Sequence, residues 1–243
     1  MVKHDSGPRH GVARVLSKRG LCSRTQAAEW VRAGRVRVNG RLVSDPEHPV
    51  YAGRDHIEVD GADAQAGERV YLMLNKPRGV VTTARDERGR DTVYRCFDDA
   101  ELPWIAPAGR LDRASEGLLL FSNDPEWAAR ISGSVRIEKI YHVQINRIPD
   151  AAQLARLQTG VEDKGELLQS KRVRVLRQGT RNAWLEIVLD QGRNRQIRRM
   201  LAASNIGVLR LIRIAIGPLS LGDLGKGEWR YLDEAEIKAL GQG

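Results

Sequence analysis

Gly109-Arg110-Leu111-Asp112-Arg113-Ala114-Ser115-Glu116-Gly117-Leu118-Leu119-Leu120-Phe121-Ser122-Asn123-Asp124 is the stretch on which the fold of this 243-residue chain turns. A polar, arginine-bearing loop runs into an unbroken apolar segment over 117–121, the pattern of a buried strand. Asp112 stands between two arginines in the loop, and their charge favours its ionised form. An ionised carboxylate at the end of a buried strand can serve as a nucleophile or a base. It can equally be a structural salt bridge, and on these residues alone the salt bridge is the commoner outcome.

Further strand-like runs lie at 70–74, 140–145, 172–176, 183–189 and 208–214. Helical patterns lie at 125–131, 150–157, 194–203 and 233–240. The two mix without regular alternation, which predicts an α+β domain over 70–243 on a mainly antiparallel sheet. The small, polar residues 61–69 predict a linker. Before it, residues 10–60 read as a small helical and hairpin domain. Val12, Val15 and Leu16 recur at helical spacing, with Gly20 as a stop. Ser23 and Gln26 form a capping-box pattern for a second helix that ends at Gly34. Asn39-Gly40 between Val36–Val38 and Arg41–Val43 is a two-residue hairpin turn.

The formal net charge is +9, and residues 1–50 hold ten Lys and Arg against four Asp and Glu. A second stretch, 191–213, has six arginines and no acid. Polyanions are the natural partners of such a surface, through release of counterions from phosphates. The two cysteines, Cys22 and Cys96, and the five histidines show no metal-ligand spacing, and no phosphate-binding glycine loop is present. An enzyme of this composition is expected to work without metal, nucleotide or redox cofactor. No apolar run reaches the roughly 18 residues that cross a bilayer, and the first residues lack a signal-peptide core. The expectations are no membrane partner, a cytoplasmic location and a monomer.

The small domain resembles the alpha-L (S4-type) RNA-binding module first described in a ribosomal small-subunit protein. That resemblance implies that Arg14, Lys18, Arg19, Arg24, Arg32, Arg35 and Arg37 face structured RNA; the plainer reading is a helical cap with a solvated basic face. The opening stretch, as G-R-L-D-x-x-[ST]-x-G-L-L-L-x-[ST]-N-D, resembles the signature of the RsuA family, synthases that isomerise uridines of ribosomal RNA to pseudouridine. Three more segments resemble family motifs in the expected order: Asn75-Lys76-Pro77-Arg78-Gly79, Lys139-Ile140-Tyr141-His142-Val143, and Gly192 to Met200. Leu211, six residues before Gly217, and Gly227–Arg230 fit the family's ending. Pro125, where the family often has glycine, is a small departure.

The resemblance implies that Asp112 is catalytic and that Tyr141 stacks on the flipped base and helps at the C5 proton. Arg198 would pair with Asp112, and Leu211 would lie on the other side of the base. Arg110, Lys139, Arg193, Arg195 and Arg199 would contact the substrate. Large-subunit ribosomal RNA is the favoured target because most branches of the family act there. Taken singly, Tyr141 could be one face of a strand, the arginines a phosphate patch, and Leu211 core. Two rival readings remain: an RNA-binding assembly factor, and a glycoside hydrolase in which Glu116 or Asp124 faces Asp112.

Overall fold

A computed structural model describes residues 7–84, 86–133 and 137–241. The chain divides into two compact units. The smaller comprises Met1–Tyr71 with Glu101–Ala106 and Ser122–Ala128; the larger comprises Leu72–Ala100, Pro107–Phe121 and Ala129–Gly243.

The smaller unit contains β1 (His10–Gly11), α1 (Val12–Lys18), α2 (Arg24–Arg32), β2 (Val36–Val38), β3 (Arg41–Leu42), β4 (Pro49–Val50), β5 (Ile57–Val59) and β6 (Ala62–Asp63). Val12, Val15, Leu16, Ala27 and Val31 bury the helix faces against Val36, Val38, Val50 and Ile57 in one core. Asn39 and Gly40 both have positive φ, as the tight β2–β3 turn requires. Ser23 accepts from the Gln26 backbone N–H, the first half of the expected capping box; no reciprocal bond from the Gln26 side chain forms among the described residues. The stretch expected as a linker opens with β6, which pairs with β5 as the edge of a four-stranded sheet.

The larger unit is built on a nine-stranded sheet of β7 (Tyr71–Lys76), β8 (Ala106–Pro107), β9 (Glu116–Ser122), β10 (Lys139–Ile145), β13 (Arg172–Gln178), β14 (Ala183–Leu189), β15 (Val208–Ile216), β16 (Leu219–Ser220) and β17 (Trp229–Tyr231). Its central order is β13-β14-β10-β15-β9-β7-β17. Among the described strand pairings in it only β9 with β15 is parallel, so the sheet is mainly antiparallel, as the mixed pattern predicts. Around it lie a 3-10 turn (Val93–Phe97), α3 (Pro125–Gly133), α4 (Ala151–Thr159), the hairpin β11 (Val161–Asp163) with β12 (Glu166–Leu168), α5 (Gln196–Ala203) and α6 (Glu234–Gly241).

β9 is buried at every position, which explains its unbroken apolar run. Gly117 sits beside Arg213 of β15, and a Cβ there would come within 2.2 Å of the Arg213 carbonyl oxygen. Gly117 is therefore a condition for β9 and β15 to pair. No described helix is long and apolar enough to cross a membrane.

Candidate active site

Asp112 lies in the loop that leads into β9, and that loop is fastened on three sides. The Ser115 N–H donates to the Asp112 carbonyl at 2.9 Å, closing a turn. From the loop after β7, the Gly79 N–H donates to the Arg113 carbonyl and Arg113 Nε donates back to the Gly79 carbonyl. Thr82 Oγ1 donates to the Leu111 carbonyl at 2.8 Å. At the end of β7, Lys76 is fully buried and its Nζ donates to the Ser115 and Pro77 carbonyls. Burial pushes Lys76 down to about 8, against the opposing charges of Cys96, Glu116 and Asp112. A loop held this way presents its carboxylate in a fixed position.

Asp112 opens into a cavity of about 490 Å³, a size suited to a small ligand. Arg110, Ser115, Lys139, Tyr141, Arg193, Arg195, Arg198, Leu211 and Arg213 also line it. Tyr141 on β10 stands opposite Arg213 on β15, and Val143 opposite Leu211. Alternate residues of a strand share a face, so Tyr141, Leu211 and Arg213 project from one face of the sheet. Tyr141 and Leu211 are both largely buried.

Two arginines from the start of α5 meet the Asp112 carboxylate. Arg195 Nη1 donates to Oδ2 at 3.0 Å. Arg198 Nε stands 3.9 Å from the same oxygen, too far for a hydrogen bond, while its Nη2 donates to the Ala114 carbonyl at 3.1 Å. Arg198 Nε is buried without a hydrogen-bond partner among the described residues. Arg195 is the N-cap of α5 with φ 49 and ψ 33, the left-handed region that a non-glycine residue rarely occupies. The arginine expected to pair with Asp112 thus has a nearer neighbour that makes the direct bond.

Six other expected positions are engaged within the chain. Arg199 does not line the cavity: its guanidinium is taken by Asp163 and Glu166 of the β11–β12 hairpin. Those carboxylates stand more than thirty residues away in sequence, so nothing around Arg199 announced them. In the smaller unit Arg19 donates to the Ala64 and Ala52 carbonyls, which makes it a brace of that unit's own backbone. Lys18, Arg24 and Arg35 make surface ion pairs with Glu126, Glu47 and Asp60. Arg37 donates to the Gly40 carbonyl. Arg14 and Arg32 are exposed, with no side-chain partner among the described residues.

The paired-carboxylate reading fails on geometry. Glu116 is buried against Arg210 at 2.9 Å and Lys226 at 3.2 Å. Burial alone would raise its pKa, but those hydrogen bonds hold it below the ordinary carboxylate range. Asp124 accepts from the Glu126 and Trp127 N–H groups at the start of α3. Neither carboxylate lines the cavity of Asp112.

The RNA pseudouridylate synthase family model matches residues 70–203, and the S4 domain model matches residues 12–55. An uncharacterized RNA pseudouridine synthase of Aquifex aeolicus is 35% identical over 94% of this chain and 92% of its own. The ribosomal large subunit pseudouridine synthase B of Bacillus subtilis is 35% identical over 93% of both chains. The chain belongs to the RNA pseudouridylate synthase family. A crystal structure of a pseudouridylate synthase aligns with a TM-score of 0.65 at 28% identity, covering 96% of this chain and all of that one. The synthase fold accounts for residues that the sequence reading left without a role. Lys76 and Thr82 brace the Asp112 loop, and Arg213 lines the cavity. Lys76 lay in a quoted motif; Arg213 lay in the acid-free stretch; Thr82 carried no signal.

Proposed function

We propose that this synthase converts a specific uridine of ribosomal RNA, in the large subunit, to pseudouridine, with Asp112 as the catalytic residue. The observation that carries the reading is the meeting of Asp112, Arg198, Tyr141 and Leu211 in one cavity. The large-subunit assignment is supported by relatives named for that substrate in Bacillus subtilis and Haemophilus influenzae.

The target uridine leaves its stack at a cost of a few kcal/mol. Phosphate contacts from exposed basic side chains, Arg14 and Arg32 in the smaller unit and Arg110, Arg193 and Arg195 around the cavity, offset that cost. Tyr141 stacks on the ring and Leu211 packs on its other side. Asp112 acts at the sugar, by attack on C1′ or by removal of a sugar proton. The N1–C1′ bond breaks, the base turns, and C5 joins C1′. Tyr141 also assists loss of the C5 proton. Arg198 keeps the carboxylate oriented once the base is seated. Arg195, half exposed, is free to exchange Asp112 for an RNA phosphate.

Mapping pseudouridine in ribosomal RNA from cells with and without the protein tests this reading. One large-subunit position should lose its pseudouridine and regain it on complementation. An unchanged map would refute the substrate assignment.

A further inference from the structure

Arg213 has no part in the reaction as described so far, yet its placement is unusual. It is 6% exposed and lines the cavity. Nε donates to the Leu118 carbonyl at 2.7 Å, while Nη2 is buried with no hydrogen-bond partner among the described residues. A buried cationic donor left unpaired is costly and calls for an acceptor. Arg213 stands opposite Tyr141 across the β10–β15 ladder and two residues from Leu211, so it belongs to the base rather than to the sugar. Lys139, also buried, lines the same cavity. Burial and then the charge of Arg213 hold Lys139 below its ordinary range, with Asp190 opposing. Two buried cations thus line the cavity from one face of the sheet.

We propose that Arg213, with Lys139 beside it, donates to a uracil carbonyl oxygen and holds the negative charge of the detached base. This rests on the synthase reading above. When N1–C1′ breaks, its electron pair stays on the uracil and spreads over N1, O2 and O4. The ring then turns about its N3–C6 axis, C5 bonds to C1′, the C5 proton leaves and N1 gains one. That turn exchanges N1 with C5, and it also exchanges the C2 carbonyl with the C4 carbonyl. A donor fixed beside one carbonyl therefore faces the other afterwards. One cationic subsite serves the ring as substrate, as detached anion and as product, with Tyr141 and Leu211 on its two faces before and after the turn. Donors aimed at developing charge in a water-poor site act chiefly on the chemical step.

The test uses the full-length protein and a ribosomal RNA fragment carrying the mapped target, with Arg213→Met and Arg213→Gln. Single-turnover conversion should fall about 10²–10³-fold, while RNA affinity stays within about threefold because the phosphate contacts remain. Replacing the target by 2-thiouridine or 4-thiouridine weakens the acceptor. The slowing this causes in the wild type should vanish in both variants, as it must when two changes remove one contact. A thio effect that persists undiminished in the variants would overturn the proposal. So would a methylphosphonate at the target's 5′ phosphate whose penalty disappears with Arg213, since that assigns the arginine to the backbone. Should Arg213→Met melt below the wild type, Arg213→Gln, which keeps a donor towards Leu118, carries the comparison. A wild type that converts no uridine would instead refute the synthase reading beneath it.

Discussion

Arg195 and Arg198 approach the same oxygen of Asp112 from the same helix start, and their surroundings separate their roles. The Arg195 side chain is 51% exposed and that of Arg198 16%. An exposed pair contributes about 0–1 kcal/mol, whereas losing the more buried Arg198 leaves the Ala114 carbonyl without its donor and Asp112 with the exposed Arg195 as its cation. Arg198→Met should therefore lower single-turnover conversion about 100-fold or more, in the range seen when a preorganised donor is lost. Arg195→Met should act mainly on RNA affinity and slow chemistry less than about tenfold. Equal losses in both would contradict this division. The family resemblance pointed to Arg198. It could not show Arg195 at the carboxylate, because that contact depends on a left-handed backbone at an arginine, which no residue pattern announces. Lys76 offers a pH test. Its folded value of about 8 lies below the unbound lysine value of 10.5. The unfolded chain thus holds the extra proton between those values, and stability rises as pH increases through that window. The melting temperature of the wild type relative to Lys76→Met should climb from pH 8 to 10.5; a flat difference would refute the assignment.

β9 shows how much of an element was legible. Its apolar run, its glycine and the polar loop before it were all visible in the sequence. The partner that makes the glycine necessary was not, since β15 lies almost a hundred residues later. Gly117→Ala places a methyl against the backbone of Arg213 at a φ of 100. Overpacking and strain together should cost about 3 kcal/mol or more, read by chemical denaturation; a loss below about 1 kcal/mol would show that β9 and β15 can part without penalty. The tail of the same stretch has a structural task that went unread. Asn123 accepts from the Val70 N–H and donates to the Glu68 carbonyl, and Ser122 Oγ donates to the Val70 carbonyl. Short elements were the least legible. The β11–β12 hairpin turns on Lys164 and Gly165, both with positive φ, and its strands are three residues each, too short to show a period.

At the scale of the whole molecule, charge is the readable property and its distribution the less readable one. The excess of +9 predicts salt-sensitive RNA binding. Several cations are engaged within the chain, since Arg35, Arg199 and Arg210 pair with its own carboxylates and Arg19 donates to its carbonyls. Arg14 and Arg32 keep their charge for a partner. Replacing both by Gln should weaken binding across unrelated RNAs and reduce the slope of log affinity against log salt by about 1 to 2. An unchanged slope would remove the smaller unit from the RNA contact. The proposed reaction depends on one carboxylate. Asp112→Asn, at nearly constant shape, should melt like the wild type, bind the ribosomal RNA target with wild-type affinity and form no pseudouridine in a single-turnover assay. Pseudouridine formed by that variant at a rate approaching the wild type would contradict the account.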